Sequence, residues 1–172
     1  MLLCLFLVAD ETIVFIRHGE KPQEGLGQLN KEGLERALKL PYVFEAKFGK
    51  PSYIFACNPA YQKFDKGILY YYIRPLATIE PTAIYFSMPV QLPFGFDETT
   101  KIADELKSSK YKDALIFVAW EHHKIKEIIQ KLMPQASELQ IPNWQNDDFN
   151  SIYIVKINQE KNSIVFSIDQ EF

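Results

Sequence analysis

Arginine and histidine are scarce in this chain of 172 residues, which has Arg17, Arg36 and Arg74 as its arginines and His18, His122 and His123 as its histidines. Lysine supplies the rest of the positive charge, so arginine is not the default surface cation here. Cysteine is scarcer still. Cys4 and Cys57 form neither a CxxC pair nor a metal-ligand spacing, which argues against a structural metal and a required disulfide. An excess of positive charge is also missing: Lys and Arg total 19 against 22 Asp and Glu, a formal net charge of -3. That balance gives no reason to expect nucleic acid or an anionic membrane as a partner. Any anion site must be a local positive pocket on a mildly acidic surface. The 47% hydrophobic and 24% charged content is ordinary for a globular chain with a substantial core. With neither an internal repeat nor a linker, residues 10–172 read as one domain.

The one uncharged apolar stretch at the start, Met1 to Ala9, is far below the roughly 20 residues that span a bilayer as a helix. It resembles the apolar part of a secretory signal with Ala9 before the cut, although a basic start is absent and Leu7 is large for a small-x-small site. An extra edge strand or a hydrophobic tail is the alternative. The shortened leader is preferred, which places the natural protein in the periplasm or outside the cell; otherwise it is cytoplasmic. No stable membrane insertion is expected in either case.

Thr12 to Ile16 is a β-branched and aromatic run, the mark of a buried strand. It delivers Arg17-His18-Gly19-Glu20 where a parallel strand presents its ligand-binding loop. A guanidinium grips an oxyanion in two places, an imidazole can attack or move a proton, and glycine allows close backbone approach. The same residues would also fit a basic side chain and a satisfied histidine closing an ordinary strand. A polar loop follows through Gly27, and Asn30 is the expected cap of a helix with Leu34, Ala37 and Leu38 on one inward face. Pro41 should kink or restart that helix, and Gly49-Lys50-Pro51 should end it. Arg36 is assigned to its solvated side.

Ser52 to Cys57 reads as a second strand, parallel to the first across a helical crossover. Asn58 to Tyr72 has no clean period and reads as a long loop, whose Tyr61, Tyr70, Tyr71 and Tyr72 either face a substrate or cover the core. Ile73 to Met88 is expected to be helical with Arg74 at its entrance, where free amides and the helix dipole favour an anion. Val90 to Leu92 suggests a short strand, and Asp97 to Ser108 a helix capped by Asp97. Ala114 to Trp120 is an apolar run suited to a central strand. Glu121-His122-His123 ends it, and Lys124 to Leu132 forms a further helix. Met133 to Asn150 reads as irregular, and Ile152 to Ile157 with Ile164 to Ile168 as a closing hairpin. The alternation predicts an α/β fold, a three-layer α/β/α sandwich with a mostly parallel central sheet.

Taken together, Arg17-His18-Gly19-Glu20, Arg74-Pro75-Leu76-Ala77-Thr78 and Trp120-Glu121-His122 resemble the histidine phosphatase superfamily, the phosphoglycerate mutase-like fold. The motifs span roughly residues 12 to 168. The Trp-x-His form with Ile125 beyond it is similar to small bacterial members. The resemblance implies a metal-independent phosphatase without cofactors, in which His18 attacks phosphorus and forms a phosphohistidine. Arg17 and Arg74 would hold the equatorial oxygens, and His122 would add a donor. Gly19, Glu20, Thr78 and His123 are the implied substrate-side residues. For the proton donor to the leaving group, Asp97, Glu98 and Glu121 are the candidates. Two of these have simpler roles as cap or first-turn acid, and Glu20 could instead orient its loop. Without a positioned acid, such an enzyme would prefer good leaving groups or phosphoramidates. Its partner would be a small phosphorylated substrate or a phosphoprotein. The expected activity is phosphomonoester hydrolysis. A phosphohistidine-protein phosphatase or a mutase is the alternative within the fold, and a catalytically weak phospho-ligand-binding protein is the alternative outside enzymes.

Overall fold

The computed structural model describes residues 11–134, 141–157 and 162–171. The segment Met1 to Ala9 and the leader reading attached to it lie outside the described residues. The elements are β1 Glu11–Arg17, α1 Lys31–Phe48, β2 Tyr53–Ala56, β3 Gln62–Asp65, β4 Ile68–Tyr71, α2 Arg74–Phe86, α3 Thr99–Leu106, β5 Leu115–Trp120, α4 His122–Leu132, β6 Ser151–Ile157 and β7 Asn162–Asp169. The central sheet runs in the order β2-β5-β1-β6-β7. Strands β1, β5 and β2 are parallel, β6 is antiparallel to both β1 and β7, and β7 at the edge therefore runs in the direction of β1.

Both faces of β1 and β5 are apolar, which is why these strands read as unbroken hydrophobic runs. Ile13, Phe15, Ile116 and Val118 join a core with Ile102 and Leu106 of α3 and Ile125, Ile128 and Ile129 of α4. The alternate residues Val14, Ile16, Phe117 and Ala119 face Leu40 and Phe44 of α1 and Ile79 and Ala83 of α2. Two helical layers therefore sandwich one sheet, as the alternation of elements predicts. Among the described residues no helix is long and apolar enough to cross a membrane.

Several local expectations need correction. Asn58 to Tyr72 is not a loop: it carries the antiparallel hairpin β3–β4, closed by Lys66 and Gly67 at φ 51° and 83°. Helix α1 passes through Pro41 without interruption, and the buried face is Gly33, Ala37, Leu40, Pro41 and Phe44. Leu34 and Leu38, expected inside, are 50% and 56% exposed. Packing of the whole helix against the sheet outweighs the single hydrogen bond that proline removes. Helix α3 starts at Thr99 with Glu98 at its cap position, so Asp97 does not cap it. Val90 to Leu92 contributes only a single parallel bridge, Gln91 to Phe55. Asn30 does cap α1, accepting from the Gly33 amide at 2.8 Å. The closing hairpin forms as β6 and β7, with its connection at 158–161 outside the described residues.

The loop after β1 is pressed against the first turn of α1. A methyl group on Gly33 would lie 2.4 Å from the Glu20 carbonyl oxygen, and one on Gly19 would lie 2.9 Å from the Gly33 oxygen. Both clashes are with backbone, which cannot turn aside as a side chain can. Gly33→Ala should therefore lower stability by about 1–3 kcal/mol in urea unfolding, despite a helix-propensity gain of about 1 kcal/mol. An unchanged or raised midpoint would mean that this contact is not tight.

Candidate active site

The parallel strands β1 and β5 end side by side, with Arg17 opposite Trp120. Their C-terminal ends place His18 and His122 at one rim, and α2 brings Arg74 to it. His18 is 3% exposed. Its Nδ1–H donates to the Gly19 carbonyl at 2.8 Å, which leaves the Nε2 lone pair free. The Gly19 amide in turn donates to Thr78 Oγ1 at 2.9 Å, and that hydroxyl donates to the Arg74 carbonyl at 2.7 Å. Thr78 thus joins the nucleophile loop to the helix that bears Arg74. Burial, then the Arg74 guanidinium and more weakly Arg17, hold the His18 pKa well below its usual value, against the pull of the Gly19 hydrogen bond. The ring is a neutral imidazole at neutral pH, the form that can attack.

Each cation is fixed from behind. Arg17 donates through Nη1 to the carbonyls of Asn146 at 2.8 Å and Asp148 at 3.0 Å, and its guanidinium lies 3.9 Å from the centre of the Phe149 ring. Arg74 is 2% exposed; its Nη2 pairs with Asp65 of β3, and Lys21 Nζ approaches the same carboxylate at 3.2 Å. Burial alone would raise the Asp65 pKa, but Arg74 and Lys21 keep it below its ordinary value. His122 donates through Nε2 to Asn146 Oδ1 at 2.9 Å, so Asn146 links it to Arg17. The Tyr72 ring meets the His18 ring edge-on at 6.0 Å, with the Arg74 guanidinium 5.0 Å from its centre.

Other residues singled out from the sequence have tasks within the protein. Glu20 is clasped by Arg36, at 3.0 and 2.9 Å from Nε and 2.6 Å from Nη2. Arg36 also donates to Asn150 and Gln170, so it is not on a solvated face as expected but ties the loop to the β6–β7 end. Asp97 is exposed and pairs with Lys124 at 2.8 Å. Glu98 accepts from the Gly95 amide at 2.8 Å and pairs with Lys101, contacts that hold its carboxyl below the ordinary range. Glu121 caps α4 by accepting from the Lys124 amide at 3.0 Å. His123 is exposed, with its ring 3.9 Å from that of His122. The donor atoms of Glu121, His122 and His123 all lie within 4.8 Å of one another, with His122 Nδ1 3.0 Å from Glu121 Oε1. Of the four tyrosines expected either to face a substrate or to cover the core, Tyr72 is the one set against His18. Lys63, Asp65, Asn146 and Phe149 have no sequence signal beyond position within long connections.

A scan against protein-family models and a search of curated proteins by sequence find no match. Solved structures do match. The protein histidine phosphatase SixA, complexed with tungstate, has a TM-score of 0.66 at 12% identity, covering 92% of this chain and 97% of that one. Phosphoglycerate mutase from Plasmodium falciparum gives 0.60 at 17% identity, covering 94% and 90%. Phosphoserine phosphatase from Entamoeba histolytica, in complex with 3-phosphoglyceric acid, gives 0.55 at 16% identity, covering 88% and 96%. The chain has the histidine phosphatase fold. In this fold the end of the first strand, the entrance of α2 and the end of β5 meet at one rim, where Arg17, His18, Arg74 and His122 stand.

Glu121 is the most strongly perturbed carboxylate at this rim. Burial would raise its pKa, yet the His122 ring, Lys63 and the Lys124 amide bring it down to about 2. A depressed carboxylate pKa stabilises the fold above the unfolded value of 4.5, and that stabilisation is lost as pH falls toward 2. Urea unfolding should show on the order of 3 kcal/mol lost between about pH 5 and 2 from this group. Glu121→Gln should flatten that slope; an unaltered slope would contradict the assignment.

Proposed function

We propose that this chain is a metal-independent phosphatase that hydrolyses a phosphomonoester through a phosphohistidine on His18. The carrying observation is a cluster of unpartnered polar atoms. Six buried side-chain nitrogen or oxygen atoms lack a hydrogen-bond partner among the described residues, and three of them, Arg17 Nε, Arg74 Nε and Tyr72 Oη, belong to side chains around His18; His122 Nδ1 instead faces Glu121 Oε1 at 3.0 Å. Leaving a buried polar group unpaired costs about 1–3 kcal/mol. A tetrahedral oxyanion beside His18 would relieve that cost at several of them together. Tungstate, the ligand named for SixA, is such an anion.

His18 Nε2 attacks phosphorus in line while Arg17 and Arg74 hold the equatorial oxygens and His122 contacts the developing charge. Phosphoryl transfer is mainly positioning and charge stabilisation, so these groups form a sufficient set without a Lewis acid. Water then cleaves the phosphohistidine. Gly19, Thr78 and Glu20 serve by holding the loop, and His123 flanks His122 at the mouth.

A second reading is a phosphohistidine-protein phosphatase, favoured by the engagement of every carboxylate considered as acid. Glu121 is ionised, Asp97 pairs with Lys124, and Glu98 is taken by Gly95 and Lys101. Phosphoramidates have a leaving imidazole that needs less help than an alkoxide. Relative kcat/KM on a phosphohistidine peptide and on p-nitrophenyl phosphate separates the two readings.

Turnover of p-nitrophenyl phosphate in EDTA should disappear in His18→Ala and fall about 100- to 1,000-fold in Arg74→Ala. Alkaline quenching should trap phosphate on His18, seen by mass spectrometry. Turnover surviving His18→Ala refutes the mechanism. Tight tungstate binding with no turnover identifies a phospho-ligand-binding protein instead, and phosphate passed between two positions of a substrate identifies a mutase.

A further inference from the structure

We propose that Lys63 is the proton donor to the leaving group, an inference that rests on the phosphomonoesterase reading. Strand alternation in the β3–β4 hairpin sets it there: Phe64 is 68% exposed, whereas Asp65 is buried against Arg74 and Lys63 is half-buried beside it. The Lys63 ammonium lies 4.9 Å from the centre of the Tyr72 ring and 5.0 Å from that of Phe96. Tyr72 is the same ring that packs against His18 and Arg74. Nucleophile, phosphate-binding guanidinium and ammonium thus border one aromatic side chain.

Neighbouring lysines are engaged: Lys21 with Asp65, Lys101 with Glu98, and Lys124 with Asp97. Among the described residues Lys63 has ring contacts but no hydrogen-bond or ion-pair partner. The charges that act on it are Glu121 before α4, Arg74 on α2, Asp65 on its own strand and the Cys57 thiol after β2. Burial first, with Arg74 adding, lowers its pKa against the opposing carboxylates. The ammonium is a stronger acid than an exposed lysine.

In the first step the His18 Nε2–P bond forms as the P–O bond to the leaving group breaks, and the departing oxygen takes a proton from Lys63. In the second, water attacks phosphorus and gives a proton to the Lys63 amine. The N–P electron pair returns to His18, and both groups are restored.

The test compares p-nitrophenyl phosphate, whose leaving group needs little protonation, with 2-glycerol phosphate, whose alkoxide needs it. Lys63→Met should lower kcat/KM on 2-glycerol phosphate about 100-fold or more, within the usual range for a general acid, and leave p-nitrophenyl phosphate within about fivefold. The alkaline limb of the 2-glycerol phosphate profile should vanish in that variant. Lys63→Arg keeps the charge but cannot release a proton, so it should restore KM and not kcat. Equal losses on both esters, or full kcat in Lys63→Arg, overturn the proposal. So does an unaltered protein that hydrolyses p-nitrophenyl phosphate and no alkyl ester. No turnover of either ester removes the phosphatase reading and this one together. Turnover that depends on His18 but is indifferent to Lys63 removes this one alone.

Discussion

Gly19 is the point on which the site depends. Its carbonyl fixes the tautomer of His18, its amide is held by Thr78, and its Cα rests on the backbone of Gly33. These constraints come from β1, α2 and α1 respectively, so the nucleophile is registered against three elements of the fold at once. A β-carbon at this position would separate the loop from α1, and any shift of the carbonyl would turn the imidazole. Because a misplacement near 1 Å can cost two orders of magnitude in rate, a loop this constrained has a functional reason to be rigid.

The cations follow the same plan. Arg17 is held by carbonyls of the segment before β6, Arg74 by Asp65, and His122 by Asn146. In both arginines one end of the guanidinium is anchored in protein while Nε stays unpartnered among the described residues, and His122 is held at both ring nitrogens, by Asn146 and Glu121. Such anchoring removes the rotamer entropy that a free arginine would lose on binding an anion. Tyr72 and Phe149 flank the His18 ring, and its burial, with Arg74 and Arg17 adding, keeps it neutral.

Much of this was legible because the signals were strong locally. Strands β1 and β5 are apolar on both faces, Asn30 is a good cap, and rare arginines and histidines fall at element ends. The misread parts have specific causes. In α1 the buried face contains Gly33 and Pro41, which do not register as hydrophobic, while Leu34 and Leu38 mark a neighbouring stripe that stays in solvent. In β3–β4 apolar side chains are exposed on both faces, Phe64 and Leu69 on one and Ile68 on the other, so period-two contrast is lost. Lys66-Gly67 is also a weaker turn signal than Asn-Gly. Arg36 looked solvated because its partners, Glu20, Asn150 and Gln170, come from three separate parts of the chain.

The same positive field explains why a carboxylic acid is hard to keep at this rim. Against burial, the His122 ring, Lys63 and the Lys124 amide stabilise Glu121 in its ionised form, with a pKa of about 2. An acid of that kind has lost its proton long before neutral pH. On the Lys63 ammonium the effect runs the other way: burial first favours release of the proton, and Arg74 adds to it against the pull of Glu121 and Asp65. Cations gathered to hold a dianion therefore weaken a carboxyl as proton donor and strengthen a lysine. Two side chains from one face of the hairpin divide the work in the proposed mechanism: Asp65 holds Arg74 by its ion pair, and Lys63 carries the mobile proton.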